Sequence, residues 1–136
     1  MYYFAYGSNL ARKQMLERCP NSRPRFTAAL GNYRLIFTGW SRKWHGSVAS
    51  IKPAQGKRVL GAVYEISDRD LPRLDRYEGY PEVYNRLKVT VYGDDDEPIQ
   101  AITYIKASQS EETRPSAEYL AVIQQGYRDW GLSKGL

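Results

Sequence analysis

Only one segment of this chain carries the period of a full-length helix. In Ser116–Trp130, Leu120, Ile123, Tyr127 and Trp130 fall on one face, with Pro115 just before and Gly131 just after. The other apolar segments are shorter, and most of them read as strands. Most of the core must therefore be built from strands, with the long helix laid against them.

Tyr2–Tyr6 is an aromatic run that reads as a buried strand, broken by Gly7-Ser8-Asn9. Leu10–Arg18 carries Leu10, Met15 and Leu16 among charged residues, a short helix that stops before Pro20. Further strands are predicted at Thr27–Phe37, Gly46–Ile51 and Val59–Ile66, the last two separated by the turn-rich Pro53-Ala54-Gln55-Gly56. Asp70 is the expected cap of a short helix through Tyr77, because Pro72 is comfortable only in a first turn. Val83–Tyr92 alternates, and the acidic turn Gly93–Asp96 leads into Ile99–Ile105, which predicts a hairpin. Strands joined mostly by short turns mean α+β. Closing about six or seven strands into a small mixed β-barrel with flanking helices removes exposed edges.

At 136 residues one domain, 1–136, is expected. No run approaches eighteen apolar residues, so no membrane span is expected, and the first ten residues lack the pattern of a secretory signal. The single cysteine, Cys19, rules out a disulfide within the chain, and a structural role suits it better than a nucleophilic one. A cytoplasmic location is the expectation. Up to Arg69 there are twelve Lys/Arg against three Asp/Glu, and after it eight against twelve. That basic half is scattered and has no dense run, which suits an anionic small molecule or a solvated surface better than nucleic acid.

Two segments could carry chemistry. Tyr6-Gly7-Ser8-Asn9-Leu10 joins a strand to a helix, and such a turn directs several backbone N–H groups at a carboxylate or an oxyanion. The alternative is a plain connection in which Ser8 or Asn9 caps the helix. In the second, Glu78 ends a short helix among Tyr77, Tyr80 and Tyr84. The helix dipole and aromatic burial would both raise its proton affinity, as a general acid/base near neutral pH requires. The alternative is an exposed glutamate before a C-capping Gly79. His45 is the only histidine, which leaves no convincing metal site or serine triad, and Asp94-Asp95-Asp96 reads as a solvated turn. Carboxylate, tyrosine and backbone must supply any catalysis.

Four blocks in order resemble the γ-glutamylcyclotransferase family. Tyr3–Leu10 is similar to its substrate loop, Trp44–Ile51 to its second block, Gly61–Tyr64 with Leu74–Gly79 to the segment bearing its glutamate, and Pro115–Tyr119 with Ile123 and Gly126 to its last helix. Ser47 stands where a second glycine is common, a change expected in the pocket wall. The resemblance implies a closed barrel and release of 5-oxoproline from a γ-glutamyl amine or dipeptide, with no metal or cofactor. It implies Glu78 as the acid/base, Tyr6, Gly7, Ser8, Asn9 and Leu10 as the holder of the glutamyl group, and Tyr84 and Tyr119 as pocket walls. A homodimer is common in such families. Competing readings are a non-catalytic binder of the same fold, a nucleic-acid-binding barrel, and an enzyme that removes a γ-glutamyl protecting group.

Overall fold

The computed structural model describes residues 1–132. Strand β1 (Tyr2–Ala5) leads through a 3-10 turn at Ser8–Leu10 into helix α1 (Arg12–Arg18). Strands β2 (Arg23–Ser41) and β3 (Gly46–Glu65) follow, then α2 (Asp70–Glu78), β4 (Tyr84–Tyr92), β5 (Pro98–Lys106) and α3 (Ala117–Trp130). The strands close into a barrel in the order β1-β3-β2-β4-β5. All neighbours are antiparallel except β1 and β5, which pair in parallel where Tyr3 meets Ile102. The closed, mixed α+β barrel agrees with the reading of the sequence.

Among the described residues the strand count is five rather than six or seven, because Gly46–Ile51 and Val59–Ile66 lie on one strand. Pro53-Ala54-Gln55-Gly56 does not turn the chain back on itself. Tyr33 pairs with Pro53 and Gly31 with Arg58, so β3 carries its extra residues past Asn32 as an irregularity in one continuous ladder. The Asn32 side chain accepts the Gly56 N–H at 3.1 Å and holds the excursion in place.

Helix boundaries shift for identifiable reasons. The segment from Leu10 to Arg18 is not one helix: Ala11 is extended between the 3-10 turn and α1. Neither Ser8 nor Asn9 caps α1. Its first N–H, of Arg12, is taken at 2.9 Å by Asp129 Oδ2 from α3. Leu16 is exposed while Leu10 and Met15 are buried. At α2, Asp70 lies inside the helix and reaches back to accept the Ser67 N–H, while Ser67 Oγ accepts the Asp70 N–H. This reciprocal pair does the capping expected of Asp70 alone. Pro72 sits in the first turn as predicted. On α3, Ser116 caps through its side chain, and the buried face is Tyr119, Ile123, Gly126 and Tyr127, with Leu120 only half-buried.

Packing of α3 positions the rest. A Cβ on Gly126 would lie 2.4 Å from Leu10 Cβ and 2.7 Å from Ala11 N. The helix therefore rests directly on the backbone that follows β1. Trp130 Nε1 and the Tyr64 hydroxyl both donate to the Leu10 carbonyl, at 2.9 and 3.3 Å. The loop after β1 is thus clamped from outside, and its inner side faces the barrel end. Among the described residues, no helix is long and apolar enough to cross a membrane.

Candidate active site

A cavity of about 330 Å³ opens at that end of the barrel. Its floor and walls include Tyr6, Gly7, Ser8 and Asn9 from the loop, Glu78 from the last turn of α2, Tyr84 from β4 and Tyr119 from α3. Seven of the eight predicted site residues are therefore brought together from four separate elements. Leu10 is the exception: it is fully buried in the core, and its N–H is already bonded to the Gly7 carbonyl at 3.0 Å. It supports the loop from behind. Ser47 also stays out of the wall; it is buried and donates to the Thr113 carbonyl at 3.0 Å.

The tyrosines are fixed by backbone partners. Tyr84 donates to the Ala49 carbonyl at 2.7 Å, and the Tyr119 hydroxyl accepts the Ala49 N–H at 2.9 Å. One residue of β3 thus anchors two walls. Tyr6 donates to the Tyr104 carbonyl, and Asn9 Nδ2 donates to the Tyr3 hydroxyl at 3.0 Å. Burial pushes the Tyr3, Tyr6, Tyr84 and Tyr119 hydroxyls above the ordinary phenol range, and the neighbouring Glu78 charge adds to this in each. All four stay neutral donors at physiological pH.

Glu78 reaches this wall because α2 ends there. Gly79 adopts the left-handed conformation (φ 69°), and its N–H and that of Tyr80 close the helix on the Arg76 and Asp75 carbonyls. The Glu78 carboxyl keeps part of its surface open through the cavity but is crowded by protein on its other sides. Among the described residues it accepts no hydrogen bond from the protein. Burial raises its pKa to about 7, and the nearby Arg18 charge opposes that rise. Near pH 7 the group exists in comparable amounts as acid and base.

Arg18 was not among the residues expected here. It donates from Nη1 to Ser8 Oγ at 3.2 Å and to Asn9 Oδ1, and its guanidinium lies 3.3 Å above the Tyr77 ring. It therefore ties the loop to the turn of α2 that carries Glu78. Trp40, Lys43, Tyr104 and Lys106 were likewise unforeseen as cavity residues, whereas Tyr3 and Trp44 open the two blocks that carry the resemblance to the substrate loop and second block. Tyr104 had a signal, as a residue of the expected strand Ile99–Ile105; Lys106 lies just beyond that strand, and Arg18 had none, because Tyr77 and Glu78 reach it from a distant segment. His45 is exposed at the β2–β3 turn with φ 57°, and Cys19 is a buried free thiol that burial pushes up to about 11.

The arrangement offers one carboxyl poised between acid and base, neutral phenols around it, and a loop whose first amides have no partner within the 3-10 turn. It suits moving protons on a small polar molecule held in place.

Comparison with known proteins agrees with this chemistry. Residues 3–127 match the family model described as gamma-glutamyl cyclotransferase, AIG2-like. The chain is 33% identical to a gamma-glutamylcyclotransferase of Bos taurus over 135 residues, covering 96% of this chain and 71% of that protein. It is 31% identical to the one of Homo sapiens with the same coverage. A solved structure named gamma-glutamyl cyclotransferase superposes with a TM-score of 0.93 at 30% identity, covering 98% of this chain and 81% of that one. The barrel, the loop and the half-buried glutamate thus belong to a member of the γ-glutamyl cyclotransferase, AIG2-like enzyme family.

Proposed function

We propose that the chain converts a γ-glutamyl amine or γ-glutamyl dipeptide into 5-oxoproline and a free amine, with Glu78 as the general acid/base. The observation that carries this reading is the Glu78 carboxyl, raised to about 7 by burial and lining the cavity at the barrel end.

The substrate's α-ammonium is no nucleophile until it loses a proton, which the Glu78 carboxylate accepts. The amine nitrogen then attacks the γ-carbonyl carbon of the same molecule, closing a five-membered ring and leaving an oxyanion. Because nucleophile and electrophile share one chain, positioning supplies much of the rate. The protonated Glu78 gives its proton to the departing nitrogen as that C–N bond breaks. The ring nitrogen releases its extra proton to Glu78, which passes it to the freed amine. Four N–H protons enter and four leave, and Glu78 is regenerated. Loop amides at Gly7 to Asn9 bind either the substrate's α-carboxylate or the oxyanion, and Tyr6, Tyr84 and Tyr119 line the glutamyl pocket. The lone, buried Cys19 supports a cytoplasmic setting, since it needs no partner thiol.

The test is 5-oxoproline release from γ-glutamyl-L-alanine, glutathione and γ-glutamyl-ε-lysine, with Glu78→Gln as control. Product from any of them, lost in the variant, supports the reading. A folded Glu78→Gln protein retaining activity within tenfold of wild type excludes Glu78 as the base.

A further inference from the structure

The mouth of the cavity carries charge that the chemistry at Glu78 does not use. Lys43, in the turn after β2, and Lys106, at the end of β5, both line it. Each ammonium is lodged against aromatic rings: Lys43 Nζ lies 5.1 Å from the Trp44 ring centroid and 5.2 Å from that of Tyr77, and Lys106 Nζ lies 5.5 Å from that of Tyr84. Among the described residues, neither lysine takes part in an ion pair. Glu17 acts on Lys43 only at longer range, and burial and the Arg18 charge hold Lys43 below the usual lysine range. Burial does the same to Lys106. Room for Lys106 is made by Gly39, where a Cβ would stand 3.0 Å from its Nζ. Beside it Trp40, also at the mouth, is 71% exposed.

Among the described residues Glu78 is the one carboxylate in this lining, and it is half-neutral near pH 7. The lysines therefore give the mouth uncompensated positive charge, partly desolvated and set on rigid rings. A γ-glutamylalkylamine brings nothing to answer it. A γ-glutamyl amino acid brings one carboxylate on its leaving half, and one with an acidic side chain brings two.

Resting on the cyclotransferase reading above, we propose that the mouth is a subsite for an acidic amino acid as the leaving amine. Lys43 and Lys106 each meet one carboxylate, and the Trp40 ring covers the methylene chain between them. The γ-glutamyl group then lies inward, between the loop and Glu78.

The test compares γ-glutamyl-L-glutamate, γ-glutamyl-L-alanine and γ-glutamylethylamide by 5-oxoproline release, for wild type, Lys43→Met and Lys106→Met. Wild-type kcat/KM is expected to fall in that order. In each variant the ratio for γ-glutamyl-glutamate over γ-glutamylethylamide should drop roughly tenfold, the size of one charge-assisted hydrogen bond. Raising the salt concentration should narrow the wild-type ratio in the same direction. Equal wild-type rates for the acidic and neutral substrates, or a ratio unmoved by both substitutions, would overturn the subsite. Should none of the three yield 5-oxoproline, the cyclotransferase reading fails separately. The subsite is then judged by calorimetric binding of γ-glutamyl-glutamate, which must be weakened in both variants for the proposal to stand.

Discussion

Asp75 and Glu78 stand one turn apart on α2, and each carboxyl meets tyrosine. Asp75 accepts the Tyr104 hydroxyl at Oδ1 and lies 3.6 Å from Arg86 Nε, whose guanidinium covers the Tyr80 ring. The Asp75 carboxyl thus has both a hydrogen-bond donor and a cation beside it. Glu78 has tyrosines around it but no hydrogen bond from them, and the nearby Arg18 spends Nη1 on Ser8 and Asn9 and its face on the Tyr77 ring, with its buried Nη2 unpartnered among the described residues. The same residue class serves structure in one turn and reactivity in the next. What differs is whether the surroundings satisfy the charge or merely exclude water from it.

The largest effect that separates the two turns is on turnover. Glu78→Gln should lower kcat by about 10²–10⁴, the usual worth of a general acid/base, while Asp75→Asn, whose amide oxygen still accepts from Tyr104, should stay within about tenfold. Steady-state 5-oxoproline release measures both. An Asp75→Asn loss as deep as that of Glu78→Gln would erase the distinction.

Stability should move the opposite way. Asp75→Ala leaves the Tyr104 hydroxyl without its acceptor, takes a solvent-screened partner from Arg86, and should destabilise by about 1–3 kcal/mol in denaturant melts. Glu78→Gln should stabilise instead. The folded-state pKa of about 7 lies above the ordinary 4.5, so the folded protein binds the extra proton between those values. Stability therefore falls as pH rises from about 4.5 to 7 and stays lower above it. Removing the carboxyl should recover roughly 1–3 kcal/mol at pH 8 and almost nothing at pH 4.5. Equal melting shifts at both pH values would mean that the Glu78 charge is not what burial opposes.

Which parts of this contrast could be read from the chain depends on how the parts are connected. The loop Tyr6–Asn9 and the Glu78-Gly79 ending are contiguous, and their residue types state their local geometry. The barrel was legible from economy rather than from pattern, because closure leaves so many strands without exposed edges. Asn32 and Gly56 explain why one strand looked like two: an irregularity in a long ladder uses the same residues as a reversal. Lys43, Lys106 and Arg18 were not legible as site residues, since each is an ordinary surface-type side chain until β2, β5 and α1 converge on one end of the barrel. The capping of α1 by Asp129 is hidden for the same reason, being supplied from 117 positions away.

The smallest effect, and the sharpest probe of what surrounds Glu78, is at Arg18. Among the described residues it is the one cation facing that carboxyl; the other titratable groups around it are Tyr3, Tyr6, Tyr77, Tyr84, Tyr104 and Tyr119, all raised by burial and neutral. In wild type the acid limb of kcat/KM should lie near pH 7, where Glu78 loses its proton. A positive charge favours the carboxylate, so removing it in Arg18→Gln should carry the limb upward by about half to one pH unit. Arg18→Lys keeps the charge but gives up the planar guanidinium that stacks on Tyr77 while Nη1 bonds Ser8 and Asn9. Its limb should stay near that of wild type while KM rises, because the loop is no longer tied to α2. If both substitutions move the limb alike, Arg18 acts on Glu78 through the geometry of the loop rather than through its charge.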